Sequence, residues 1–259
     1  MEHRGFETYA DADGNRVRFS MPPKLCNIFD VELFCRSNVN DAAEGDPAIV
    51  WKQMSSRYSN AELVAPHQVH GTDILYAHKE NAIPLRPEAD GIYFDANSPC
   101  MGSLRFADCT PVVIGSWLPK PWLFILHSGF VGTLRNISSA SFAFLKKIHT
   151  VFDFSAVYAW IGPSICSSCY SRNLNDTKTQ EAISSFSMYN IRLEGDSAYI
   201  NIRGEIRSQL RNLGVSADNI YEYDECTFCS KDKFYSYRAG DKNRRLFLIA
   251  GVPQNTPLR

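Results

Sequence analysis

The sequence predicts a single mixed α/β domain. Apolar runs of strand length recur along the chain, separated by segments whose apolar residues follow a helical period. At 259 residues the chain can bury a substantial core without covalent staples. No internal repeat, low-complexity tract or break in composition marks off a second unit.

Residues 1–24 are polar, with Gly14 and the pair Pro22-Pro23. They read as an N-terminal leader or an edge hairpin turning at Asp11-Ala12-Asp13-Gly14-Asn15, with residues 25–259 as the domain itself. Leu25 to Cys35 alternates weakly, as a strand, and Arg36 to Asp41 follows as a polar loop. Its one cation, Arg36, is either a salt-bridging surface residue or an anion contact. From Asp46 to Tyr58 the apolar positions Ile49, Val50, Trp51 and Met54 fit an amphipathic helix, with Asp46 as cap and Pro47 in the first turn. In the strand-like stretch His67 to Ile74, period-two spacing puts His67 and Val69 on one face and Gln68 and His70 on the other. Asp90-Gly91 is a tight-turn or close-approach signal.

Cys100 to Phe106 reads as a strand that delivers Asp108 and Cys109 at its end. Val112 to Trp117 and Trp122 to His127 are two more strands, the last again ending on a histidine. Gly129 and Gly132 then lead into the clearest helical period of the chain, Leu134 to Ile148. Such a glycine-rich turn is either a plain connector or a donor of free amides to an anion such as phosphate. Val157 to Ile161 is a buried strand. Two further helices are expected over Asp176 to Phe186 and Asn201 to Leu213, the latter stopped by Gly214. Arg245 to Val252 closes the chain as a strand.

Hydrophobic residues make up 44%, charged residues 21%, and the net charge is -1, so no electrostatic bias toward nucleic acid or an anionic membrane exists. The polar start lacks a signal-peptide core and no apolar run is long enough to span a bilayer, which predicts a cytoplasmic protein. In that reducing compartment the eight cysteines are expected to be buried, metal-bound or reactive rather than disulfide-bonded.

Three constellations carry chemistry. His70, Cys109 and His127 are a candidate mononuclear zinc site, with three protein ligands leaving a fourth position open. The same atoms could serve as a cysteine nucleophile with a histidine base, but the flanking Asp108 carboxylate should raise the Cys109 pKa and disfavour that use. The pairs Cys166/Cys169 and Cys226/Cys229 could hold structural zinc, yet residues 170–225 lie between them, well beyond the ~15–20 residues of a zinc ribbon.

Taken together, six stretches resemble the YfiH/LACC-type purine nucleoside phosphorylase family, formerly described as multicopper polyphenol oxidoreductases or laccases. They are Gln68-Val69-His70-Gly71, Ala89-Asp90-Gly91, Ala107-Asp108-Cys109-x-Pro111-Val112, His127-x-Gly129-x-x-Gly132-Thr133, Gly162-Pro163-Ser164-Ile165 with Cys169-Tyr170, and Cys226-Thr227-x-Cys229 followed by Phe234-Tyr235-Ser236-Tyr237-Arg238. The resemblance implies two mixed β-sheets packed together and flanked by helices, and Zn2+ on His70, Cys109 and His127. It implies phosphorolysis of adenosine, inosine, guanosine or methylthioadenosine to free base and pentose 1-phosphate, with adenosine deamination as a side activity. Asp108, Cys109 and Arg238 would belong to the catalytic machinery, and Arg36, Gly129, Gly132 and Ser236 would bind phosphate and substrate. The expected partners are small molecules, with the chain a monomer or weak homodimer.

Three positions depart from the family pattern. Valine stands at 131 where arginine is usual, Arg36 lacks the two glycines that should follow it, and Ser171 replaces a glutamate. An alternative is therefore a metal-binding relative with reduced or altered activity that binds a ligand or partner.

Overall fold

The computed structural model describes residues 3–11, 14–58, 61–149 and 153–253. The chain opens with the hairpin β1 (Phe6–Asp11) and β2 (Gly14–Phe19), paired antiparallel. The Ala12-Asp13 tip of the expected turn lies outside the described residues. The strand expected from Leu25 begins only at Asp30, as β3 (Asp30–Phe34), because Pro22 and Pro23 start a short helix α1 (Pro23–Cys26) in front of it. The loop expected at Arg36 to Asp41 is partly helical. Ser37 caps α2 (Asn38–Ala43) by accepting from the Asn40 amide. The next helix, α3 (Pro47–Met54), has Asp46 as its cap and Pro47 in its first turn, as expected.

Then come β4 (Glu62–Val64) and β5 (Ile74–Tyr76). Next are β6 (Gly91–Asp95), β7 (Cys100–Phe106), β8 (Thr110–Ser116) and β9 (Trp122–Ser128). The expected helix up to Ile148 is broken at Arg135-Asn136 into α4 (Phe130–Leu134) and α5 (Ile137–Ile148), since Asn136 turns left-handed at φ 56° to cap the second piece. β10 (Val157–Ile161), β11 (Ser171–Asn173) and α6 (Thr177–Ser185) follow. An unforeseen hairpin of β12 (Ile191–Glu194) and β13 (Ser197–Ile200) precedes α7 (Ile202–Asn212). The chain ends with β14 (Ile220–Glu222) and β15 (Leu246–Gly251).

Two six-stranded mixed sheets result, ordered β1-β2-β3-β15-β7-β4 and β14-β10-β8-β9-β6-β5, with β11-β13-β12 as a small third sheet. In the first, only β4 runs parallel to its neighbour; in the second, both edge strands do. Strand alternation assigns each side chain to a layer. Leu104, Leu246 and Leu248 of the first sheet meet Val113, Leu123 and Ile125 of the second in the central core. Phe247 and Ile249, one residue out of phase, face Val50, Trp51 and Met54 on α3. Val112, Ile114, Trp122 and Phe124 face α5 and α7 on the opposite side. The order of layers is therefore helix, sheet, sheet, helix. Because β7, β8 and β9 are buried on both faces, their sequences are mostly apolar rather than alternating. Among the described residues no helix is long and apolar enough to cross a membrane.

The consequence for the site lies in the connection from β7 to β8. These strands belong to different sheets, so residues 107–109 cross between the layers, and the crossover carries Asp108 and Cys109.

β15 runs between β3 and β7, and its last residue admits no side chain. Gly251 has φ 142° and a Cβ there would sit 2.2 Å from the Cys100 carbonyl oxygen. Gly251→Ala should lower unfolding free energy by roughly 2–4 kcal/mol, from backbone strain plus overpacking. Gly240→Ala, at φ 112° with open space around it, should cost only the strain, about 1–2 kcal/mol. Chemical denaturation of the two variants checks the difference.

Candidate metal centre

The centre is built around a carboxylate. Asp90 immediately precedes β6 and is fully buried. Its Oδ2 accepts from the amides of Val69 (3.0 Å) and Gly71 (2.7 Å), and its Oδ1 from the amide of His70 (3.0 Å). Oδ1 also lies 2.7 Å from His127 Nδ1, and the His127 amide donates to the Asp90 carbonyl at 2.7 Å. Nδ1 donates to the carboxylate, which leaves Nε2 with its lone pair directed away from Asp90. Burial alone would raise the Asp90 pKa, but the bonds to His127 and the backbone hold it below the ordinary carboxylate value.

The three amides that wrap Asp90 make residues 67–73 a tight turn rather than the expected strand. His70 adopts a left-handed φ of 58° at its apex. The period-two assignment of faces therefore fails, and His67 and His70 both reach the same cavity. His70 turns its ring to His127, with centroids 4.9 Å apart. Cys109 enters from the crossover. Ligand atoms of His70, Cys109 and His127 all lie within 4.8 Å of one another. His127 is buried and His70 exposed, so the open side of the trio faces the cavity.

Asp108 also stands in the left-handed region, at φ 82°. Its Oδ1 accepts from Thr227 Oγ1 at 2.7 Å and its Oδ2 from the Arg238 amide at 2.8 Å. Two cavity-lining positions, His70 and Asp108, thus hold strained backbone in place through contacts distant in sequence. The expectation that Asp108 raises its neighbour's pKa is not met. Burial does push the Cys109 thiol up, but the His127 and His70 imidazoles outweigh it and bring it down to about 6. Burial lowers His127, while the Cys109 charge and the Asp90 hydrogen bond outweigh that and raise it to about 9.

Two imidazoles and a thiolate, aimed at one point with an open side, are a donor set suited to a borderline-soft divalent metal. The backing carboxylate on His127 is the outer partner that such ligands need. A glycine makes room for the sulfur: a Cβ at Gly129 would lie 2.5 Å from Cys109 Sγ.

The cavity in front of the trio has a volume of about 770 Å³. Five cations line it, Arg86, Arg105, Arg238, Lys242 and Arg245, against two acids, Glu44 and Asp108. Arg105 comes from β7. It bonds Pro66 O through Nη2 and Gln68 Oε1 through Nε, while its buried Nη1 has no hydrogen-bond partner among the described residues. Burial first, and then the Arg86 and Arg245 charges, lower its pKa to about 9.

Of the residues singled out in the sequence, His70, Asp108, Cys109, His127 and Arg238 converge here. Arg36, Gly129, Gly132 and Ser236 are not on the cavity wall. Arg36 is ion-paired to Asp241 at 2.8 Å and stacked on Tyr235. Gly129 and Gly132 pack beneath the ligands, a Cβ at Gly132 meeting the His127 carbonyl at 3.1 Å. Ser236 is fully buried, its Oγ accepting from the Ala239 amide. Asp90, Arg105, Arg86 and Arg245 were missed as site residues. A carboxylate placed directly before the apolar Gly91-Ile92-Tyr93-Phe94, and a lone charge inside the apolar run Cys100 to Phe106, were the available signals.

A family model described as multi-copper polyphenol oxidoreductase laccase matches residues 33–250. The chain is 28% identical over 199 residues to a protein of Geobacillus stearothermophilus named purine nucleoside phosphorylase YlmD, covering 72% of this chain and 71% of that one. It is 27% identical over 140 residues to adenosine deaminase RL5 of an unknown prokaryotic organism, covering 51% and 50%. The crystal structure of YlmD from Geobacillus stearothermophilus superposes with a TM-score of 0.77 at 21% identity, covering 95% of this chain and 99% of that one.

Asp90→Asn should weaken divalent-metal affinity about 10–100-fold, because it loosens both histidines at once; competition with a chromophoric chelator measures it. In protein stripped of metal, Cys109 and His127 should form a thiolate–imidazolium pair between about pH 6 and about 9. The stabilisation due to Cys109 is present above the ordinary thiol pKa and is lost as pH falls through about 6. That due to His127 is present below the ordinary imidazole value and is lost as pH rises through about 9. The ultraviolet thiolate band, taken as wild type minus Cys109→Ser, should vanish on acidification with a midpoint of about 6; a midpoint near the ordinary thiol value refutes the pairing.

Proposed function

The chain belongs to the multi-copper polyphenol oxidoreductase laccase family, and from that premise we propose that it is a zinc-dependent purine nucleoside phosphorylase. It would cleave adenosine, inosine, guanosine or methylthioadenosine with phosphate to free base and pentose 1-phosphate, with adenosine deamination as a side activity. The observation that carries this reading is the pairing of a two-histidine, one-cysteine centre with a cavity rich in arginine, among relatives named purine nucleoside phosphorylase and adenosine deaminase. Multi-copper chemistry fits the residues poorly. Several copper ions need many imidazoles, and of the six histidines only His67, His70 and His127 face this cavity.

Phosphorolysis develops negative charge on the departing purine and positive charge on the sugar, so the site must hold phosphate and a polarising group in fixed positions. Arg105, Arg86 and Arg245, which line the cavity, would supply the anion contacts. When bound, zinc supplies a Lewis acid at the His70, Cys109 and His127 end of the cavity. Asp108, locked by Thr227 and the Arg238 amide, is the group placed to carry a proton. Tyr170 and Tyr237 on the wall offer aromatic faces to the base. In this reading Arg238 stays at the mouth, over the Tyr170 ring at 5.4 Å, and Arg36 acts on the site only through the 234–241 turn that it anchors. The free thiols suit a cytoplasmic enzyme, a monomer or weak homodimer acting on small molecules. A metal-binding relative with reduced or altered activity that binds a ligand or partner is the second reading, favoured by Val131 and by the absence of the two glycines after Arg36.

Inosine with phosphate should yield hypoxanthine and pentose 1-phosphate. Arg105→Met should raise the KM for phosphate about 10–100-fold, the loss of one or two charge-assisted hydrogen bonds, and leave phosphate-independent deamination of adenosine in place. Base release that ignores phosphate, or no release by metal-loaded protein, overturns the phosphorylase assignment.

A further inference from the structure

We propose that Cys166, Cys169, Cys226 and Cys229 form a second metal site, a structural zinc held by four thiolates and separate from the His70-Cys109-His127 centre. The separation of the two Cys-x-x-Cys pairs in sequence argues against a zinc ribbon, but the fold removes that objection. β10 and β14 are parallel neighbours, paired Ala159 to Ile220 through Ile161 to Glu222. Each pair follows its strand within a few residues, Cys166 after Ile161 and Cys226 after Glu222, and the parallel bridge between Ser164 and Cys226 extends the pairing beyond the strand ends, one residue out of the strands' own register. Two loops with the same motif are therefore laid side by side.

All four sulfurs lie within 4.8 Å of one another, and Cys169 Sγ is 3.5 Å from Cys229 Sγ. A tetrahedron with zinc–sulfur bonds of about 2.3 Å places its sulfurs about 3.8 Å apart, so small side-chain rotations close the site. The loops are shaped for thiolates. The Cys166 amide donates to Cys226 Sγ at 3.2 Å. The turns are tight, with Cys169 N bonded to Cys166 O at 3.1 Å and Ser230 N to Cys226 O at 2.9 Å. Cys229 is exposed, which gives a metal a path of entry, while Cys226 is buried. A single Cys169–Cys229 disulfide would use two of the sulfurs and leave no reason for Cys166 and Cys226 to converge on the same point.

Such a clip would fasten two walls of the cavity. Thr227, inside the second pair, bonds Asp108, and Ile165, next to the first, donates to the Asp108 carbonyl at 3.2 Å. Tyr170, which follows Cys169, lines the cavity. The metal would be a positioning element for Asp108 and Tyr170 and would touch no substrate.

Zinc analysis of the full-length protein purified under reducing conditions should give two equivalents per chain. Cys109→Ser should remove one and Cys229→Ser the other, each leaving its counterpart bound. Should Cys229→Ser fail to fold, cobalt-loaded wild type settles the matter: a four-thiolate site gives a far stronger sulfur-to-cobalt charge-transfer band than one thiolate can, and it should persist in Cys109→Ser. In Cys109→Ser, where only the four-cysteine site can hold metal through sulfur, displacing the metal should make four further thiols titratable. A single equivalent that Cys109→Ser abolishes, no thiols released on displacement, or a Cys169–Cys229 disulfide in the intact mass each overturns the proposal. None of these readouts depends on phosphorylase activity, so the site stands or falls apart from that assignment.

Discussion

The carboxylate of Asp90 is the constraint on which the rest of the centre depends. A buried charge is tolerated only when hydrogen bonds replace its lost hydration, and here four donors do so: the amides of Val69, His70 and Gly71, and the His127 ring. Satisfying the charge and building the metal centre are the same event. The amides can converge only if residues 69–71 form a tight turn, and that turn pushes His70 into its left-handed conformation and out toward the cavity. The ring bond sets the tautomer of His127. Two candidate ligands from distant parts of the chain are therefore oriented by one side chain that is not itself among them.

Cys109 reaches the same point by a different route. The β7–β8 connection must pass from one sheet to the other, and the crossover ends where β8 pairs with β9, Pro111 opposite His127. Register places the thiol beside the imidazole. Glycine at 129 leaves the space that the sulfur occupies. The thiolate is then favoured in a buried position because two imidazoles face it, the charge balance that a metal would take over.

Much of this architecture was legible in the sequence where local rules decide the outcome. Asp46 and Pro47 start α3, Asp176 starts α6, Asn201 and Gly214 bracket α7, and the apolar runs of β7, β8, β9 and β15 reflect burial on both faces. Local rules failed where a distant group overrides them. The stretch from His67 reads as a strand until the Asp90 carboxylate, twenty residues on from His70, gathers its amides into a turn. The Cys-x-x-Cys pairs look unrelated until β10 and β14 pair in parallel. For Arg36, open in the sequence between a salt bridge and an anion contact, the partner Asp241 is 205 residues away and visible only in the fold. The trio was visible as residue types only, and the resemblance across six ordered stretches made it a candidate site, which the geometry brings together.

The absent arginine at Val131 bears on the cavity less than its place in the family pattern suggests. Five cations already face two acids there, and their mutual repulsion is evident at Arg105, where burial first and then Arg86 and Arg245 bring the pKa down to about 9. The guanidinium still keeps its proton at neutral pH, so the charge is present and held at a cost. A dianion placed among these groups would relieve the repulsion. Such preorganised, under-compensated charge favours a bound anion more than it favours water, because water cannot neutralise it. A sixth cation would add to the repulsion between the others before phosphate arrived. On that argument the cavity stays electropositive without an arginine at position 131.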